Sequence, residues 1–133
     1  MLAMIQNNLN PILADEMGIF CNFNFLGLGK TVQSISLLDQ LRKTSAKNLF
    51  LVLVPLSLLS HWKEQITRFC PLLSVVCYVG NRETRENLQS VDGDIILTTF
   101  DYVNSDISWF EGKQWSCLIV DVKNRNLMEF LDS

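Results

Sequence analysis

Gly27-Leu28-Gly29-Lys30-Thr31 is the stretch whose residue types and spacing carry the most chemistry in this chain. Glycines let backbone N–H groups approach phosphate oxygens, and the start of a helix adds partial positive charge. A lysine there reaches terminal phosphates and a threonine hydroxyl suits Mg²⁺, so the stretch reads as a polyphosphate cradle. The strict phosphate-loop spacing would need a glycine at position 24, which is Asn24. A Gly-rich turn into an ordinary helix is therefore an equal reading of these five residues. A second candidate is Asp121, an acid closing the apolar run Cys117-Leu118-Ile119-Val120. An acid at a strand end facing a phosphate loop is what a Mg²⁺-nucleotide site uses, because a hard cation takes oxygen ligands and bridges phosphates, though by itself Asp121 reads equally as a strand-end residue in a turn.

The elements that must position these groups follow from the pattern of apolar residues. Ile12-Leu13-Ala14 reads as a strand leading into the glycine turn, and apolar positions at Val32, Ile35, Leu38 and Leu41 predict a helix from about Lys30 to Thr44. Asn48 to Pro55 reads as a strand apolar on both faces, which points to a parallel sheet covered by helices on each side. Residues 57–70 have helical spacing ended by Pro71, and Trp62 falls on the apolar stripe as a core residue. Ser74–Val79 predicts a strand, Arg82–Gln89 a short charged helix capped by Asn81, and Asp94–Phe100 and Ser116–Asp121 two more strands. Strands alternating with helices give an α/β fold with an open sheet, whose ligands sit at the carboxyl ends of the strands.

Composition narrows the function classes. With 48% hydrophobic and 19% charged residues in 133, the chain reads as one globular domain. A net charge of −3 argues against a generally basic surface, so contact with nucleic acid would be local. No apolar run is long enough to span a bilayer, and the first ten residues lack the pattern of a signal peptide; no membrane partner is expected. Cys21, Cys70, Cys77 and Cys117 form no CxxC pair and His61 is the single histidine, which disfavours zinc and a Ser/His/Asp triad. Cys77 and Cys117, inside apolar runs, read as buried structural thiols.

Six strings taken together resemble a known family: ILADEMG (12–18), LGKTVQSISLL (28–38), LVPLSLLSHWKEQITRF (53–69), VGNRETRE (79–86), DIILTTFDYV (94–103) and CLIVD (117–121). In order and approximate spacing they look like the first lobe of the sucrose-non-fermenting (SWI/SNF-type) chromatin-remodelling ATPases of helicase superfamily two. The wording is similar to the chromodomain-helicase-DNA-binding and imitation-switch groups. The resemblance implies a RecA-like, three-layer, mainly parallel open sheet with helices on both faces. It implies ATP and Mg²⁺ as cofactors, a DNA-dependent ATPase that translocates on DNA, nucleosomes as partners and a nuclear location. Residue by residue, Gly18, Gly27, Gly29, Lys30 and Thr31 would bind the nucleotide and Thr31 and Asp121 the metal, with Lys30 and Asp121 catalytic. Pro55, Ser57, Thr98 and Thr99 would line the DNA track and hold backbone phosphates. From the residues alone, Ser57 reads as a helix cap and the two threonines as ordinary strand residues.

The chain also departs from that pattern. Residues 1–11 form a polar lead, 12–121 match the lobe, and nine residues, Ile19 to Gly27, stand as an insertion in the phosphate loop. After Asp121 the family's Glu-Ala-His is replaced by Val122-Lys123-Asn124, opening a divergent tail over 122–133. The glutamate that would activate the attacking water is absent, and a second helicase lobe is not part of these residues. The expectation is a chain that does not hydrolyse ATP, with a non-catalytic nucleotide- or DNA-binding module as the alternative. A further expectation is that the strands Leu49–Val54 and Cys117–Val120 lie exposed.

Overall fold

A computed structural model describes residues 10–14, 17–21, 31–44 and 49–121. The element order is β1 (Asn10–Ala14), β2 (Met17–Cys21), α1 (Thr31–Thr44), β3 (Phe50–Leu53), a 3-10 turn (Leu56–Leu58), α2 (Leu59–Phe69) and β4 (Val75–Cys77). It continues with α3 (Arg82–Leu88), β5 (Ile95–Thr98), α4 (Phe100–Ser105), α5 (Ile107–Glu111) and β6 (Cys117–Asp121). One six-stranded sheet runs in the order β1-β2-β6-β3-β5-β4. β6, β3, β5 and β4 are mutually parallel, and β2 is antiparallel to both β1 and β6. The expected α/β, mainly parallel architecture is therefore present.

Alternation along the strands feeds two cores. On one face Phe50, Val52, Val54, Ile95, Leu97, Cys117 and Ile119 pack under α1 and α2, which contribute Ile35, Leu38, Leu41, Trp62 and Ile66. On the other, Leu51, Leu53, Val76, Ile96, Leu118 and Val120 meet Val103, Phe110 and Trp115. Every residue of β3, β5 and β6 is buried. The expectation that β3 and β6 would be exposed is thus corrected: helices cover both faces, and β2 supplies β6 with a hydrogen-bonded neighbour on its outer side.

Three local expectations also change. Met17–Cys21, read as part of the loop and its insertion, form β2; Met, Ile, Phe and Cys suit a strand, and β6 offers an open edge to pair with. The strand expected to run to Phe100 ends at Thr98, because Phe100 already opens α4, with Thr99 (φ −108°, ψ 163°) as the extended residue before it. The helix expected from Ser57 begins as a 3-10 turn and becomes α-helical only at Leu59. Asn81 caps α3 as expected, its side-chain oxygen accepting the Thr84 N–H at 2.9 Å. The turn before that cap needs Gly80, whose φ of +119° is open to glycine at little cost.

Candidate functional site at the carboxyl edge of the sheet

Parallel register sets the carboxyl ends of three strands side by side. Leu53 is level with Thr98 on one side and Val120 on the other, and the Val54 N–H donates to the Thr98 carbonyl at 3.0 Å. The chain leaves β3 toward β4 over the α2 face and leaves β5 toward β6 over the opposite face. The crevice between β3 and β5, where connections depart in opposite directions, is the place where open α/β sheets bind ligands. Pro55, Ser57, Thr99 and Asp121 all stand along this edge.

Asp121 ends β6 with its side chain on the face shared by Cys117 and Ile119, beneath α2. It is 6% exposed, and its Oδ2 accepts the indole N–H of Trp62 at 3.1 Å. Trp62 is core, as expected, at 1% exposure. Its bond to the acid was not anticipated from sequence. The available signal was strand parity: Asp121 shares its face with Cys117 and Ile119, the face on which the apolar stripe of α2 must pack. Among the described residues the other oxygen of Asp121 has no partner, and no cluster of three or more His, Cys, Asp or Glu side chains could hold a metal. A divalent cation at Asp121 would therefore depend on phosphate oxygens for most of its shell. That fits Mg²⁺, which is commonly held by one or two carboxylates together with substrate phosphates.

The remaining expected residues divide. Thr98 is wholly buried and its hydroxyl donates to the Tyr78 carbonyl at 2.5 Å, committing it to the sheet. Thr99 is 7% exposed and offers its carbonyl to the Val103 N–H. Pro55 is half-buried, and Ser57 is exposed in the 3-10 turn and caps neither that turn nor α2. Exposed Leu56 stands beside it. Gly18 lies inside β2, level with Leu13 of β1 and Val120 of β6. Thr31 opens α1, one residue from the expected start, while Gly27, Gly29 and Lys30 lie outside the described residues, as does the tail from Val122.

The two thiols that are free among the described residues are structural. The Cys70 thiol donates to the Ile35 carbonyl at 3.2 Å, tying the end of α2 to α1, and burial raises the pKa values of both Cys70 and Cys77. A raised pKa keeps the thiol protonated and unreactive. Cys117 is buried as expected but stands in a disulfide rather than as a thiol. No helix among the described residues is long and apolar enough to cross a membrane.

Across the sheet a second polar cluster joins β4, α3 and α5. Tyr78 donates its hydroxyl to Asp106 Oδ2 at 2.5 Å, Arg85 Nε donates to the same oxygen at 2.8 Å, and Gln89 donates to the Tyr78 hydroxyl at 2.9 Å. Tyr78 also stacks on Trp109 at 5.1 Å and meets Phe110 edge-on at 5.2 Å. Burial raises the Asp106 carboxyl pKa, yet the hydrogen bonds from Tyr78 and Arg85 and the charge of Arg85 outweigh it, so the net shift is downward. Burial, reinforced by the bond to Asp106, pushes the Tyr78 phenol up to about 12.

Comparison with known proteins agrees with this architecture. A family model described as the SNF2-related domain matches residues 1–125. A chromodomain-helicase-DNA-binding protein 1-like from Danio rerio is 39% identical over 127 residues, covering 91% of this chain and 12% of that protein. The nuclear protein STH1/NPS1 of Saccharomyces cerevisiae is 37% identical over 131 residues, covering 94% of this chain and 9% of its own length. This chain thus spans about a tenth of these curated relatives. Among solved structures, the Sulfolobus solfataricus SWI2/SNF2 ATPase core in complex with dsDNA superposes with a TM-score of 0.54 at 32% identity, covering 77% of this chain and 19% of that one. With a family model covering nearly its whole length and a solved ATPase core sharing its fold, the chain belongs to the SNF2-related domain family.

Proposed function

We propose that these residues form the ATP-binding portion of a DNA-dependent ATPase that translocates on DNA and remodels chromatin in the nucleus. The observation that carries the reading is the buried acid Asp121 at the carboxyl edge, beside the ends of β3 and β5, in a chain of this family. In this reading Gly18, Gly27, Gly29, Lys30 and Thr31 bind ATP, and Thr31 and Asp121 hold Mg²⁺. The ion, when bound, neutralises charge on the β- and γ-phosphates. Pro55, Ser57 and Thr99 line the DNA track; small hydroxyls and turn N–H groups suit phosphates without reading bases. Thr98 serves that track by shaping β5, since its own hydroxyl is engaged by Tyr78.

Catalytically, Val122 follows Asp121 where the family has a glutamate, so these 133 residues bind nucleotide weakly and do not turn it over. Two measurements test the reading. Titration with a fluorescent ATP analogue should give Mg²⁺-dependent binding that Lys30→Ala weakens roughly tenfold, the loss of one charge-assisted contact. ATP hydrolysis stimulated by DNA and abolished by Lys30→Ala would overturn the catalytic part of the reading. Nucleotide binding indifferent to both Mg²⁺ and Lys30→Ala would overturn the site itself.

A further inference from the structure

We infer that Trp62 is a positioning residue for the metal carboxylate: its indole N–H fixes Asp121 with one oxygen tied inward, leaving the other for a divalent cation. The inference rests on the proposed nucleotide site and deepens it, naming a residue of α2 that acts through Asp121.

Three observations meet here. Trp62 is 1% exposed and Asp121 is 6% exposed, so neither polar group has ready access to water. A buried indole N–H, a donor only, and a buried carboxylate, an acceptor only, each need a partner, and each supplies the other's at 3.1 Å. The donor is neutral. An arginine or lysine in its place would cancel the charge of Asp121 and compete with a cation. An indole orients the carboxylate while leaving its full charge available, as the hydrogen-bonding partners of metal-bound carboxylates do. The bond also determines which way the acid points. With Oδ2 tied to Trp62, Oδ1 is the oxygen that has no partner among the described residues.

The test uses the whole chain and an NMR readout independent of turnover. Trp62, Trp109 and Trp115 are the three tryptophans, and the latter two pack on the opposite face of the sheet. With a non-hydrolysable ATP analogue present, added Mn²⁺ should broaden the Trp62 indole N–H resonance before the other two, and Asp121→Asn should abolish this selective broadening. Trp62→Phe removes the donor but keeps an aromatic core. It should weaken the Mg²⁺-dependent part of nucleotide binding roughly ten- to hundredfold, leaving binding without Mg²⁺ unchanged. A merely structural role would lower both alike, and an unchanged Mg²⁺ dependence in Trp62→Phe would refute the positioning role while the nucleotide site stands. If the parent shows no selective broadening at Trp62, the proposed metal site falls and takes this assignment with it. Should Trp62→Phe fail to fold, benzothienylalanine at position 62, which has the indole shape without the N–H, replaces it with the same two outcomes.

Discussion

Two acids on opposite faces of one sheet are held by aromatic hydrogen-bond donors, and they are held differently. Asp106 shares one oxygen between the Tyr78 hydroxyl and the Arg85 guanidinium, with Gln89 behind the phenol, so its charge is met inside the protein. Asp121, more deeply buried, receives a single neutral indole N–H, and no cation faces it among the described residues. A carboxylate whose charge is compensated is a brace; it joins α3 and α5 to the end of β4. A buried carboxylate met only by a neutral donor among the described residues keeps an oxygen for a cation that a ligand brings.

The largest effect that could break this comparison comes from Trp62→Ala. It opens a cavity in the α2 core and orphans Asp121, and should destabilise the chain by about 4 kcal/mol in denaturant unfolding. A loss below about 1 kcal/mol would mean that the indole neither fills the core nor serves the acid.

Replacing each acid by its neutral isostere sharpens the contrast by sign. Asp121→Asn keeps an acceptor for Trp62 while removing a carboxylate that meets no cation among the described residues, and should raise stability by about 1 kcal/mol while losing Mg²⁺ dependence. Asp106→Asn removes the charge that Arg85 meets and should lower stability. Thermal midpoints moving the same way in both variants would erase the distinction.

The smallest effects are in pH. The net-lowered pKa of Asp106 contributes stability that is whole above the unfolded carboxyl value near 4 and lost as pH falls through the lower folded value. The raised pKa of Tyr78 works the other way: its contribution is whole below the unfolded phenol value near 10 and lost as pH rises to about 12. Tyrosinate absorbance should therefore include a step near pH 12, and Tyr78→Phe should remove it together with that alkaline loss of stability. A spectrum unchanged by the substitution would show that Tyr78 does not titrate there.

Much of this was legible in the residues. Apolar runs at 50–53, 95–98 and 117–121 specified strands of a mainly parallel sheet, although their full burial corrected an expectation of exposure, and the stripe of Trp62 and Ile66 specified the inward side of α2. Periodicity reports such things because burial on a face is a local property of spacing. Asn81 was equally readable, since a cap and the N–H groups it satisfies are neighbours in sequence. Phe100–Ser105 and Ile107–Glu111 were not resolved as helices, because segments this short carry too few turns for a period to show.

Types and order alone determined that an α/β sheet would form, that Asp121 would end one of its strands, and that the strings of motifs belong with one family. Tertiary structure decided that Met17–Cys21 join the sheet beside β6, that Thr98 gives its hydroxyl to Tyr78, and that Trp62 meets Asp121 from 59 positions away. The physical reason is separation along the chain. A contact between distant residues is fixed by which helix packs on which face and at which register, and neither quantity is written in the spacing of either segment.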